Sequence, residues 1–594
     1  MKHSFHIQSK HGRRILTALF SAMMLLPMTS CEDFLNTESS YFSDSTLDNP
    51  SDTLYSVVGI INKLQSLSDR TILLGELRGD LSDVTDATNS DLLEIAMFNV
   101  SDDNQYNAPH DYYAVINNCN YFLANVDIDM KNNRNEYVFR KEYAAVKAYR
   151  AWTYLQLALN YGKVPLVTEP ILTQEEANRE YQKMGIQEIC QYFIDDLQGL
   201  ESIGVPSYGT IRNTDSRLFY FPIHVLLGDL HLWAGNYKEA AMNYYNYLST
   251  RNGTNVAYPT DLLYTMWSST DLRWMNKSSR ISSGEVYSAT SELITMFPGD
   301  SIPSENQYSR LSDYFNSTPN NEYMVSIVPS QSLIDLSASQ VYCHLTSASN
   351  VVYPPNTLEG LDRGDLRLSA SWSESDYYGM LGVTGASSTK MVSNSKYNSR
   401  NVHLYRRTMV YLRMAEALNR AGYPRFAYQI LETGINNSVI ENQVIPYYSE
   451  ADAAWLRQFN FPNNMYVLHT IADAADENTM GIHSKGSGWT EYNEYYAFPD
   501  DTTLTDPQRL AYQIEKVEDL IMAEEALEFA FEGHRYYDLM RVALRRGEPA
   551  YLANHVYARR GASKEAEMRS FITKDLTDVN NWYLSWNGEI GMNY

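Results

Sequence analysis

VYLRMAEALNRAGYPRFAYQILETGI, residues Val410 to Ile435, reads as a helix, a break at Ala421-Gly422 and a second helix. The same plan occurs earlier in Leu226–Leu248 (LLGDLHLWAGNYKEAAMNYYNYL), with its break at Ala234-Gly235. In each copy small residues occupy the first helix, glycine ends it, and a tyrosine opens the second. Glycine stops a helix readily because it enters the left-handed conformation without a Cβ clash.

These helix pairs resemble tetratricopeptide units, which recur about every 34 residues. The two breaks, at 235 and 422, lie 187 positions apart, so a large insertion interrupts the array. Other segments extend the helical part. In Glu142–Tyr161 (EYAAVKAYRAWTYLQLALNY), Ala148, Trp152, Leu155 and Leu159 share one face, and Gly162 with Pro165 behind it stops the helix. Tyr112–Val126 reads as its partner, Ile186–Leu200 and Leu218–Ala234 as further helices, and Ala511–Arg541 as a return to helix with a break at Gly533. Residues 249–400 differ: they are rich in Ser, Asn, Gly and Pro, with short strand-like pieces at Glu285–Ser288, Val325–Val328 and Val341–Leu345. Leu381–Asn401 reads as loop, and Ile440–Gln508 as a second irregular region. The fold class expected is mainly α: a tetratricopeptide-like helical scaffold with a large loop-rich insertion containing a few short strands.

Composition narrows the function. The 594 residues carry 72 acidic against 47 basic groups, a formal charge of −25, which disfavours nucleic acid because phosphate binding needs a basic footprint. Four cysteines without CxxC spacing exclude a disulfide framework or zinc finger; Cys119, Cys190 and Cys343 read as small buried hydrophobes. Of 75 aromatics 47 are tyrosine, but many, such as Tyr143, Tyr149 and Tyr154, fall in helices, so the count is no binding signal. Tryptophan is more informative, since five of nine (Trp267, Trp274, Trp372, Trp455, Trp489) fall in the irregular regions. Loops that long inside a domain are usually functional or disordered, and disorder does not collect tryptophan.

At the N-terminus Lys2, Lys10, Arg13 and Arg14 precede an apolar run, Ile15 to Met28, too short to span a bilayer and suited to a signal peptide. It ends in Met28-Thr29-Ser30-Cys31, which resembles a lipoprotein cleavage box that leaves an acylated Cys31 as the new N-terminus. Removing residues 1–30, with four basic residues and no acidic one, leaves −29.

This box with CEDFLN behind it, RAWTYLQLALNYGKVPLV at Arg150–Val167, YRRTMVYLRMAEALNRAG at Tyr405–Gly422 and EEALEFAFEGHRYYDLMR at Glu524–Arg541 follow in order. Together they resemble the SusD/RagB family of nutrient-binding outer-membrane lipoproteins of Bacteroidetes. The ending WYLSWNGEIGMNY departs from it, lacking the Pro-rich close common there. The resemblance implies one domain over 31–594, with helical scaffold at 50–250 and 402–549 and ligand-binding loops at 251–401 and 440–508. It also implies a lipid anchor in the outer membrane facing the cell exterior, an oligosaccharide ligand, and a SusC-like TonB-dependent transporter as partner. RagB-type members handle peptides instead. By analogy with the family, the ligand site combines Arg78, Asp80, Asn104 and Tyr106 with Trp267, Trp274, Tyr308, Tyr314 and Trp372 of the insertion. Aromatic faces stack on sugar C–H groups while Asn, Asp, Arg and Tyr bond the hydroxyls. Trp152 and Trp233 read as packing.

No enzyme, metal or cofactor is expected. Glu524, Glu525, Glu528, Glu532, His534, Arg535, Asp538 and Arg541 invite an acid–base reading, but their spacings, such as Glu528–Arg535 and Glu525–Arg541, suit helical ion pairs better. A glycoside hydrolase, the alternative of another class, needs two opposed carboxylates, and no spacing singles out such a pair. Asp127-Ile128-Asp129 begins like a calcium loop, yet Asn132 and Val138 replace the required Gly and Glu, so it reads as a helix end. The overall acidity makes a neutral glycan the expected ligand unless local basic residues intervene.

Overall fold

Gly235 and Gly422, the two breaks read from the sequence, both take positive φ, 85° and 96°. Each turns a helix hairpin in a computed structural model that describes residues 50–211, 214–250, 263–268, 273–278, 293–299, 308–317, 324–340, 365–376, 390–461, 481–487 and 496–586. The principal helices are α1 (Pro50–Gln65), α2 (Ser68–Leu77), α3 (Pro109–Asn125), α4 (Arg140–Tyr161), α5 (Ile186–Leu197) and α6 (Ile223–Ala234). They continue with α7 (Tyr237–Thr250), α8 (Arg407–Arg420), α9 (Pro424–Glu432), α10 (Asp506–Phe529), α11 (Arg535–Arg546) and α12 (Pro549–Tyr557).

From α3 to α9 each helix packs on the next, and α10 packs on both α8 and α9. The step from α7 to α8 spans the whole insertion: the chain leaves the array and returns so that the two hairpins stack as neighbours. Asp229 of α6 pins this junction. Its carboxylate accepts from the hydroxyls of Tyr244 on α7 and Tyr405, both at 2.6 Å, and pairs with Arg413 of α8 at 2.5 Å. A buried carboxylate is tolerated only with such partners.

Two helix boundaries differ from the periodic reading. α6 starts at Ile223, not Leu218, because Pro222 at its N-cap is extended (ψ 130°) and the residue before a proline is pushed out of the helical region; residues 216–219 form a separate 3₁₀ turn. The segment 511–541 divides into α10 and α11 around Phe531 (φ 71°) and Gly533 (φ 76°). Glu76 of α2 accepts both of their backbone N–H groups at 3.0 Å. A Cβ at Gly75 would lie 1.7 Å from the Gly533 carbonyl oxygen, so α2 crosses this turn backbone to backbone.

The insertion contributes antiparallel two-stranded ladders: β1 (Ser82–Val84) with β5 (Ile327–Pro329), β2 (Leu263–Ser268) with β3 (Arg273–Ser278), β4 (Leu293–Phe297) with β8 (Val402–Arg406), and β6 (Trp372–Asp376) with β7 (Lys390–Asn394). The strand expected at Val325–Val328 is β5, shifted by a residue or two; those expected at Glu285–Ser288 and Val341–Leu345 lie outside the described residues. Leu381–Asn401, read as loop, holds β7 and a 3₁₀ turn. Its Ser and Asn content hides a strand whose partner β6 is supplied from elsewhere in the insertion. The helix end at Asp127 holds, with Asp127 accepting from the Asp129 N–H at 3.0 Å. Trp152 packs as expected, stacked on Phe221 at 5.0 Å. Cys119 and Cys190 are buried and unpaired, and burial pushes the Cys119 thiol up to about 12.

Candidate functional site

Where α1 gives way to α2, polar side chains replace the apolar stripe, and they face the insertion across a cavity of about 270 Å³. Asn62, Gln65, Asp69 and Arg70 form one wall, Gln105 and Tyr106 another, and Pro298, Gly299, Tyr308, Ser309 and Arg310 the third. Two bonds tie scaffold to insertion here. Gln65 Nε2 donates to the Pro298 carbonyl and the Arg310 N–H donates to Asp69 Oδ2, both at 2.6 Å.

The tyrosines are placed from behind. Tyr106 donates its backbone N–H to Asn104 Oδ1 at 3.0 Å, and Asn104 Nδ2 donates to the Asp91 carbonyl and to Glu94 at 3.0 and 2.9 Å. The Tyr106 hydroxyl lies 3.3 Å from that of Tyr314. The C-terminal segment braces the same loop: Asn107 donates to Ser585 at 3.3 Å, and Trp586 meets Tyr113 and Tyr161 edge-on. Tyr308 is half-buried, with the guanidinium of Arg400 4.6 Å and that of Arg310 5.7 Å from its ring centroid.

Of the residues singled out from sequence, Tyr106 and Tyr308 meet across this cavity, with Tyr314 and Asn104 buried behind Tyr106. Three others do not line it and are buried elsewhere. Arg78 is 1% exposed and serves the core: it donates to the carbonyls of Leu74 (2.8 Å) and Trp582 (3.1 Å) and lies over the Tyr536 ring at 4.1 Å. Asp80 is buried against Arg535, 2.6 Å away. Trp372 is 2% exposed and stacks on Phe531 with ring centroids 5.9 Å apart. Trp267 and Trp274 stand opposite each other in the β2–β3 register, their side chains outside the described set; Cys31, Cys343 and Trp489 also lie outside the described residues. Asp69, Arg70, Gln105 and Arg310 went unrecognised in the sequence. Gln105 and Arg310 flank the named tyrosines closely in sequence; for Asp69 and Arg70, in a helix buried at every position but Asp69, no local signal exists.

The acid-rich stretch 524–541 is sealed. Glu528 meets Arg406 at 2.7 Å, Arg367 at 3.3 Å and Lys485; Glu524 meets Arg367 at 2.8 Å and His483; Glu532 meets Lys396 at 2.6 Å and Arg406 at 2.8 Å. The partners differ from those suggested by helical spacing. Arg535 takes Asp80, and Arg541 takes Glu416 at 2.6 Å and Asp538 at 2.9 Å. Burial raises the Glu524 and Glu532 carboxyls, yet Arg367 with His483, and Arg406 with Lys396, bring them down to about 2. Native pKa values below the ordinary 4.5 stabilise the fold above that pH, and the contribution disappears as pH falls through about 2. Glu525 runs the other way: burial, then Asp538 and Glu416, push it well above the usual range, which favours its neutral form and opposes stability once the unfolded chain ionises. Glu525→Gln, isosteric with the neutral acid, should therefore raise the thermal midpoint at pH 7, and the gain should shrink at pH 4. Scanning calorimetry at the two pH values checks this; a midpoint lowered at pH 7 would show Glu525 ionised.

Fold and site together define a helical-repeat protein: a tetratricopeptide-like scaffold, an inserted loop-and-strand region, and a polar aromatic cavity where they meet. Among the described residues no group of three or more His, Cys, Asp or Glu could hold a metal ion, and no helix is long and apolar enough to cross a membrane. Residues 493–584 match the SusD family, and the chain has the SusD fold. A SusD superfamily protein from Bacteroides vulgatus ATCC 8482 aligns over 89% of this chain and 98% of its own, with 14% identity and a TM-score of 0.50. A SusD-like carbohydrate binding protein from Bacteroides fragilis NCTC 9343 aligns over 85% and 88%, with 17% identity and a TM-score of 0.51. A SusD-like protein from the same strain gives 85%, 88%, 18% and 0.51. No curated protein sequence matches the chain.

Proposed function

We propose that this protein captures an oligosaccharide at the cell surface, held to the outer membrane by an acylated Cys31, and passes it to a SusC-like TonB-dependent transporter. The cavity carries the reading: Tyr106 and Tyr308 offer aromatic surface beside Gln105, Asn62 and Arg310, which offer donors and acceptors for hydroxyls. Its volume, about 270 Å³, is near the lower end for small-molecule sites, so it suits the end of a chain whose remainder lies outside. The SusD-like carbohydrate binding relative from Bacteroides fragilis supports the ligand class. The binding role is one of capture without chemistry, since Glu524, Glu528 and Glu532 are engaged in buried pairs.

Tyr308→Ala should weaken glycan binding about 10-fold or more, the worth of a stacked aromatic face with its hydrogen bonds, and leave the thermal midpoint within a few degrees. A glycan array followed by calorimetric titration of wild type and variant checks it; equal affinities would remove this cavity from the site. Peptide capture is the second reading, favoured by the burial of Trp372 and the polar walls of the cavity. A peptide array run in parallel separates the two.

A further inference from the structure

We infer that the sugar unit held in this cavity carries a carboxylate, and that Arg310 is the residue that recognises it. The inference rests on the glycan-binding reading above and specifies its substrate class. Three guanidinium groups stand at the cavity. Arg70 is engaged by Asp111 at 2.6 Å and by the carbonyls of Ala108 and Gln105 at 3.0 and 3.3 Å. Arg400 is held by the two oxygens of Asp313 at 3.2 and 3.3 Å. Arg310 is exposed and pairs with no carboxylate among the described residues. Its guanidinium has the Tyr308 ring at 5.7 Å and the Tyr314 hydroxyl for neighbours.

The carboxylate on the cavity wall, Asp69, acts on the Arg310 charge but makes no ion pair with its guanidinium among the described residues. Asp69 Oδ2 is occupied by the backbone N–H of Arg310, and burial pushes its carboxyl upward against the pull of Ser309, Arg310 and Arg400. The wall therefore presents a guanidinium fork that no carboxylate engages among the described residues. A guanidinium offers five N–H donors in a planar fork that fits both oxygens of a carboxylate, whereas a neutral pyranose offers hydroxyls one at a time. Tyr308 beside that fork supplies the face on which the same ring stacks.

The formal charge of −25 opposes an acidic ligand at long range. Charges farther away than about 8 Å are largely screened at physiological salt, while a contact inside the cavity is screened much less. Net charge then governs approach and Arg310 governs the bound state, which reverses the neutral-glycan expectation drawn from composition.

The test is calorimetric titration of the purified full-length chain with oligogalacturonides and alginate oligomers, each beside its carboxyl-reduced neutral counterpart. The acidic form should bind at least about 10-fold more tightly, the worth of one charge-assisted hydrogen-bonded pair. Arg310→Gln should remove that ratio, the acidic form losing at least about 10-fold more affinity than its neutral counterpart, while Arg310→Lys keeps part of it. Neutral forms binding as tightly as the acids, or neutral oligosaccharides binding where every uronate fails, overturns the inference; so does an acid preference that survives Arg310→Gln. Tyr308→Ala separates this failure from that of the parent reading. If it weakens neutral and acidic ligands alike while wild type shows no acid preference, glycan binding stands and the carboxylate falls; if it weakens nothing, or only peptides bind, both fall.

Discussion

Glu528→Ala is expected to cost the fold about 3–5 kcal/mol, the range for breaking a buried ion pair by removing one partner. Glu528 has no exposed surface and sits where four stretches of chain converge: its own α10, Arg406 closing β8, Arg367 in the short helix Leu366–Ser371, and Lys485 in the segment 484–487. Alanine would leave those cations buried with fewer acceptors, and desolvated charge is what makes such losses large. Glu528→Gln keeps the shape and hydrogen-bonding capacity without the charge, so it should fall between wild type and alanine. Denaturant midpoints measured at pH 7 decide it. A loss under about 1 kcal/mol would mean that water reaches the three cations and that the network does not hold the insertion to the scaffold.

Trp372→Ala is the second large effect, about 3–5 kcal/mol, the usual cost of emptying a buried Trp site. Trp372 stacks on Phe531, Phe531 meets Phe315 edge-on at 5.8 Å, and Phe315 stacks on Tyr397 at 4.5 Å. This aromatic chain joins the insertion to the turn between α10 and α11. The variant should lose stability while its folded fraction keeps wild-type glycan affinity, the converse of Tyr308→Ala. Titration alongside thermal unfolding checks both halves; lost affinity at unchanged stability would put Trp372 back into the binding site.

The contrast between these two aromatics shows how far the site was legible. Tyr308 and Trp372 look alike as sequence, both aromatic residues in a Ser- and Asn-rich insertion. Exposure depends on what packs against each, and those neighbours come from distant positions: Arg400 beside Tyr308, Phe531 beneath Trp372. Arg78 and Asp80 carry the same lesson. Their charge suggested ligand contacts, yet Arg78 bonds the Trp582 carbonyl and Asp80 pairs with Arg535, more than 450 residues away in each case.

Helical hairpins at 226–248 and 410–435, their glycine breaks and the presence of an intervening insertion follow from sequence alone, because helix periodicity and glycine's positive φ are local properties. Among the 524–541 charges only the Asp538–Arg541 pair is local in this sense. Which partners they take, which tyrosines reach the cavity, and which arginine there meets no carboxylate among the described residues were decided by tertiary structure. Ion pairing, burial and cavity shape are set by contacts between residues far apart in the chain, and no local pattern encodes them.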